Sequence, residues 1–222
     1  MLLAIDTSTA QVGLALYDGT QILSEMTWTT RQHHTTELAP ALSGLLNRCG
    51  VPMDMVQALG VAVGPGSFTS LRVGLSLVKG IALARHIPVI GISTMDIIAA
   101  AQPAGKHPLV VVIQAGRKRI AVGWYKCLKN EWQAEGGVKG ATIDELADEI
   151  ESPTYIAGEL SSEDRSRLAR KRVNILLASP VHCIRRPSIL AELAWARWQK
   201  NDVDDVASLA PVYLHVEGTP IL

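Results

Sequence analysis

The chain runs twice through the same order of secondary-structure signals, and that order narrows its possible folds more than any other feature. Residues 2–6 form an apolar strand, and Val12, Leu14 and Leu16 alternate with small or polar residues as in a half-buried second strand. Asp18-Gly19 turns the chain into a third strand over 22–29. A helix is expected over 37–49, with Pro40 in its first turn, where a missing N–H is tolerated, and Gly50 and Pro52 stop it. Then come a strand over 58–63, a long helix over 69–85, a strand over 88–92 and a helix from Ser93-Thr94 through 101. Residues 102–108, Gln-Pro-Ala-Gly-Lys-His-Pro, read as a linker. Beyond them the order returns: strands over 109–113 and 120–125, a third around Trp132, and a helix opened by Thr142 with Glu145 as its capping box. A strand over 155–157, a charged helix over 163–170, a strand over 174–177 and a helix over 188–199 complete the second half.

Each half thus opens as a meander and continues in α/β units. The expected fold class is α/β with two lobes, each a mixed sheet with flanking helices, as in the actin/Hsp70/sugar-kinase (RNase H-like) architecture. Lobe one is expected over 1–101, completed by about 203–222, and a smaller lobe two over 109–202. A chain of 222 residues with 48% hydrophobic content can build both cores. Its 21 basic and 21 acidic residues cancel, so no net field draws it to nucleic acid or membrane. Cys49, Cys127 and Cys183 are too scattered for a zinc site or a disulfide framework and fit a reducing compartment. The N-terminus lacks the basic region of a signal peptide, and no apolar run reaches the roughly 18 residues of a membrane span, so a cytoplasmic chain is expected.

In two-lobed folds of this kind each lobe holds a carboxylate at the turn after its first strand, near phosphate or metal. Lobe one offers Asp6-Thr7-Ser8-Thr9. Lobe two offers Gln114-Ala115-Gly116 at the matching place, then Arg117, Lys118 and Arg119. An amide is a poor Mg²⁺ ligand, so half of the expected phosphoryl-transfer clamp is missing and no catalytic residue is assigned. For Asp6 alone, a turn-capping role stands beside a metal role. His33 and His34 lack a histidine four residues on: Glu37 and Leu38 stand there, so no metal site is assigned. The loop Gly64-Pro65-Gly66-Ser67-Phe68-Thr69-Ser70-Leu71-Arg72 follows a strand and opens a helix, the local build of an anion site. Asp6, Gly64, Gly66 and Arg72 are therefore candidates for nucleotide or anion contact. The competing reading is a tight turn with Arg72 paired to an acid such as Asp6.

The helix that follows is apolar on most sides. Leu71, Leu75, Val78 and Ala82 make one stripe, and Val73, Leu77, Ile81 and Ala84 another. One face can cover the sheet, and the other is either core or an interface.

Ala4-Ile5-Asp6-Thr7-Ser8, His34 through Pro40, the Gly64–Thr69 run with Leu71-Arg72-Val73-Gly74, Gly91-Ile92-Ser93-Thr94 and Pro211-Val212-Tyr213-Leu214 together resemble the TsaB (YeaZ) family. Departures are Ser70 where that family usually has Gly, Gln114-Ala115-Gly116 where it has Asp-Ala-Arg, and His215 where it has Arg. The resemblance implies a non-catalytic subunit of the bacterial complex that makes threonylcarbamoyladenosine in tRNA. It implies pairing with the TsaD-like paralogue through the first two helices of lobe one and binding of a TsaE-like ATPase to the pair. It also implies a homodimer when the chain is alone, and contact with tRNA only through the complex. No cofactor is implied. On that basis Leu38, Leu42, Leu45, Leu75, Val78 and Ala82 are expected at the interface. A small two-lobed ATPase or kinase-like protein, and a glycoprotease-like metallohydrolase, are the alternatives.

Overall fold

The computed structural model describes residues 1–30, 33–116, 119–171 and 173–213. Arg117, Lys118, Leu214 and His215, weighed above, lie outside the described residues. The chain forms two compact units, one of Met1–Ile97 with Arg185–Val212 and one holding Ile98–Ile184.

The first unit is a five-stranded sheet with β1 (Leu2–Asp6) near its centre. β2 (Gln11–Tyr17) and β3 (Ile22–Thr29) add to one side of it, antiparallel. β4 (Ala58–Gly64) and β5 (Val89–Ser93) add to the other side, parallel, giving the order β3-β2-β1-β4-β5. Parallel strands need crossovers, and α1 (His34–Cys49) and α2 (Phe68–Arg85) supply them. β5 leads into α3 (Thr94–Ala100).

Every residue of β1 is buried, which requires cover on both sheet faces. Its side chains alternate between two cores. Leu3 and Ile5 pack with Leu38, Leu42 and Leu45 of α1 and with Leu75, Val78 and Ala82 of α2. Leu2 and Ala4 pack on the other face with Leu190, Ala191 and Ala194. Those three belong to a helix over Pro187–Trp198, on residues the sequence reading gave to the second lobe. The helix lies against β1, β2, β4 and β5, so the first unit takes back the chain at Arg185 instead of at about residue 203. Small residues at Ala4, Ala15, Ala58, Gly60 and Ala62 let it approach the strands. A methyl on Gly60 would stand 2.9 Å from that of Ala194.

Helix α1 starts three residues before its expected first turn, so Pro40 falls inside it. The proline withholds one backbone hydrogen bond from Thr36, and packing of the Leu38/Leu42/Leu45 face offsets that loss. Gly50, at φ 64°, ends the helix in a left-handed cap.

The second unit repeats the plan. β6 (Leu109–Gln114) pairs antiparallel with β7 (Ile120–Leu128), which pairs antiparallel with β8 (Glu131–Ala141). α4 (Ile143–Glu149) precedes β9 (Thr154–Gly158), and α5 (Ser162–Lys171) precedes β10 (Ile175–Leu177). The order β10-β9-β6-β7-β8 is the first sheet's order with β6 in the place of β1. α4 carries the full Thr142/Glu145 capping box. α6 is the helix over Pro187–Trp198 described above.

The N-terminus of α6 is capped from a distance. Pro187 sits at its first position, and Glu25 of β3 accepts from the backbone N–H of Ser188 at 3.0 Å and from the Ser188 hydroxyl. Arg186 donates to both oxygens of the same carboxylate. Burial pushes the Glu25 pKa up, and the bonds from Arg186 and Ser188 outweigh it, so it lies below the ordinary glutamate value. The sign follows: a depressed folded-state pKa gives stability that is complete above the ordinary glutamate range and is lost as pH falls through the lower folded value. Glu25→Gln is therefore expected to cost about 1 kcal/mol at pH 7. The gap should close as urea midpoints are measured at progressively lower pH. A gap constant from pH 7 to pH 3 would rule out the ionised carboxylate as its source.

Candidate functional site

The C-terminal ends of β1 and β4 meet beside the start of α2, the place where a parallel α/β sheet leaves its crevice. In this chain the crevice is filled by its own side chains. Asp6 is 2% exposed, and its Oδ1 accepts the backbone N–H of Ser8 at 2.8 Å, an Asx turn. Its Oδ2 accepts from Nε of Arg185 at 2.8 Å. The Arg185 side chain has no solvent exposure, and its Nη2 also donates to Thr9 Oγ1 at 2.9 Å and to the Gln11 carbonyl at 2.7 Å. One guanidinium thus ties the end of β1, the following turn and the start of β2 to the point where the chain re-enters this unit. The tight-turn alternative set Arg72 against an acid such as Asp6; the arginine bonded to Asp6 is Arg185. The available signal was a doubled arginine directly before the proline that opens an otherwise apolar helix.

The glycine-rich loop closes on the same turn. Ser67 N–H donates to the Ser8 carbonyl at 2.7 Å, and Thr7 Oγ1 donates to the Ser70 carbonyl at 2.7 Å. A methyl on Gly66 would fall 2.2 Å from the Ser8 carbonyl oxygen, so this glycine is required by backbone contact. Gly64 adopts φ 111°, and a methyl there would fall 2.4 Å from the Val212 carbonyl oxygen. Ser67 caps α2. Arg72 is exposed and lies over the Phe68 ring, 3.7 Å from its centroid. Of the four nucleotide candidates, Asp6, Gly64 and Gly66 come together in a packed turn, and Arg72 points its guanidinium to the surface of α2.

His34 is buried, and its Nε2 lies 2.9 Å from the Thr9 carbonyl. A carbonyl only accepts, so Nε2 carries the proton and anchors α1 to the β1–β2 turn. The indole N–H of Trp28, followed by Thr30, holds Glu37 below the usual carboxylate range. Among the described residues no group of three or more His, Cys, Asp or Glu is arranged to hold a metal ion. In the second unit Gln114 ends β6, and its side-chain amide donates to the Glu159 carbonyl at 3.1 Å and to Asp164 at 3.2 Å. Arg119 gives its guanidinium to the Gly140 carbonyl at 2.9 Å.

The six side chains expected at an interface, Leu38, Leu42, Leu45, Leu75, Val78 and Ala82, are 0–5% exposed in this single chain and form its core. The outward face of α2 is the other one. Phe68 and Leu83 are 53% and 65% exposed, Val73 and Leu77 are half-buried, and Ser76, Gly80 and Ala84 follow one another four residues apart. Between α1 and α2 a groove of about 460 Å³ is lined by Thr35, Ala39, Phe68, Arg72, Val73 and Leu77. Gly44 and Gly80 face open space, so nothing among the described residues requires a glycine in either helix.

The family model described as TsaD, tRNA N6-adenosine threonylcarbamoyltransferase, matches residues 21–184. The tRNA threonylcarbamoyladenosine biosynthesis protein TsaB of Bacillus subtilis (strain 168) is 27% identical over 222 residues, covering 97% of this chain and 94% of that protein. The protein of the same name from Escherichia coli (strain K12) is 34% identical over 98 residues, 44% of this chain and 42% of its own. The solved structure of YeaZ from Pseudomonas aeruginosa superposes with a TM-score of 0.80 at 24% identity, covering 96% of this chain and 99% of that one, a likeness of fold. With well over half of its length under that family model and near full-length relatives of one name, the chain belongs to the TsaD-type family as a TsaB (YeaZ) member.

Proposed function

We propose that this chain is a non-catalytic subunit in tRNA threonylcarbamoyladenosine biosynthesis that pairs, through the outward face of α2, with a TsaD-like partner. The pair then engages a TsaE-like ATPase, and the chain alone uses the same face to form a homodimer. The pathway is the one its relatives carry in their names. The observation that carries the pairing is the face itself: Ser76, Gly80 and Ala84 form a groove of small residues between Val73, Leu77 and Leu83. Such a row lets a second helix approach closely while the flanking apolar side chains interdigitate with it. The outward side of α1 adds Pro40, Ser43, Gly44 and Asn47, none of them bulky. The ATPase-like alternative asks Asp6 to reach a metal-bound phosphate, and Asp6 is committed to Arg185. The metallohydrolase alternative asks His34 for a metal, and its Nε2 is committed to the Thr9 carbonyl.

Gly80→Arg isolates the interface from the fold. The new side chain has free space, and arginine replaces the poorest ordinary helix former, so the monomer should gain about 1 kcal/mol. A helix docked against that row would meet an unpaired charge. In sedimentation velocity at about 20 µM, within the weak end of specific association, the wild-type chain should form a homodimer that a TsaD-like protein displaces into a heterodimer. The variant should lose at least about 2 kcal/mol of pairing, roughly thirtyfold in affinity. Unchanged association of the variant would remove α2 from the interface, and no association of the wild type with either partner would sink the subunit reading.

A further inference from the structure

A second cavity, of about 480 Å³, lies wholly in the second unit, lined by Gly105, Lys106, His107, Pro108, Lys126, Cys127, Lys129 and Asn130. The chain as a whole is neutral, yet between Asp96 and Glu131 it contains no acidic residue. Acids to neutralise Lys106, His107, Lys126 and Lys129 are therefore absent from that stretch itself and begin only at Glu131. Lys126 reaches Glu135 at 3.1 Å across β7–β8. Lys106, His107 and Lys129 are exposed. Lys129 and Asn130 form the tip of the β7–β8 hairpin in left-handed conformations, φ 53° and 67°. A two-residue hairpin of this handedness favours Asn and Gly, so lysine at its first position is held there against preference. The hairpin thereby presents an ammonium and a carboxamide side by side at the rim. His107 also lines the cavity, and its ring lies 6.3 Å from that of Tyr155 at a tilt of 42°; Tyr155 is 42% exposed.

We propose that this cavity takes a backbone phosphate of an RNA strand, with Lys106 and Lys129 on the phosphate and the His107–Tyr155 pair as a platform for the neighbouring base. Ammonium groups converging on one cavity supply the sequence-independent term of nucleic-acid binding. Exposed rings beside them are what separates a nucleic-acid strand from a bare anion, because every base has a face to stack on and inorganic phosphate has none. The overall neutrality of the chain sets the scale: a weak contact, in the range of about 10⁻⁴–10⁻⁶ M typical of non-specific binding, that adds to whatever a partner subunit supplies.

The probe is a fluorescein-labelled single-stranded RNA decamer, titrated by anisotropy with the full chain from 25 to 200 mM NaCl, on the order of the range where counterion release is steep. Lys106→Glu/Lys129→Glu should weaken binding at least about tenfold and flatten the log–log salt slope by about 1.4, the contribution of two single-strand phosphate contacts. Tyr155→Ala should weaken it about fivefold or more without changing that slope. Arg48→Glu/Lys200→Glu, with the same charge change on exposed positions of the first unit, should stay within about twofold of wild type. Thermal melts of each variant by circular dichroism establish that all compared chains are folded, and Lys106→Glu alone, outside the hairpin, must retain part of the loss. The proposal is overturned if the wild type shows no binding at 25 mM NaCl or if both double variants lose affinity equally. It is overturned in favour of a simple anion pocket if Tyr155→Ala binds as wild type while inorganic pyrophosphate displaces the RNA.

Discussion

Arg185→Met is expected to lower the unfolding free energy by about 3–5 kcal/mol, the cost of stranding a buried carboxylate. Asp6 would keep its Asx bond from Ser8 and lose the guanidinium that is bonded to its Oδ2. Thr9 Oγ1 and the Gln11 carbonyl would lose a donor in the same step. Methionine fills much of the arginine stem's volume, so the loss reports charge and hydrogen bonding more than a cavity. The double variant Asp6→Asn/Arg185→Met should recover at least about 1 kcal/mol relative to the single one, because the uncompensated charge is gone. Urea unfolding of the two single variants and the double variant closes the cycle. If Arg185→Met melts with the wild-type midpoint, the pair contributes nothing to folding. The burial of Asp6 would then call for another explanation, and ATP titration would become the relevant assay for that residue.

The same pair marks where sequence reasoning stops. Elements decided by local chemistry were legible: the Asp18-Gly19 turn, the Thr142/Glu145 box, the Gly50 cap and the strand–loop–helix at Gly64 all lie where composition and spacing place them. So did the twofold order of elements, since each strand carries its own alternation and each turn its own Gly, Pro or Asp. Asp6 and Arg185 are 179 residues apart, and nothing local ties one to the other. Arg72, nearer in sequence than Arg185, places its guanidinium over the ring of Phe68, four residues before it in the same helix. Helix α6 failed for a related reason. Its apolar surface fits any sheet, and only small residues in β1, β2 and β4, spread over the first half of the chain, create the shallow face that receives it. Placement of α6 in lobe two followed sequence proximity, whereas packing follows shape.

Helix α2 poses the hardest case, because a helix apolar on both faces gives no phase to its own periodicity. Two substitutions two residues apart resolve it. Val78 has no solvent exposure and sits in the core between α2 and the sheet, so Val78→Arg buries a charge with no partner. It should cost about 5 kcal/mol or more, comparable with the whole stability of an ordinary domain. Loss of far-ultraviolet ellipticity and of soluble expression is the expected result. Gly80→Arg, on the opposite side of the helix, should express and melt at or above the wild-type temperature while failing to pair. Interface residues chosen from hydrophobicity alone would have predicted the reverse, since valine is the more apolar of the two and glycine the least conspicuous. The physical distinction is that a core position is identified by what already covers it. An interface position is identified by what a small side chain leaves uncovered. If Val78→Arg stays folded and loses pairing, the helix is rotated by about half a turn from the orientation described, and the stripe of Leu71, Leu75, Val78 and Ala82 is the one that meets the partner.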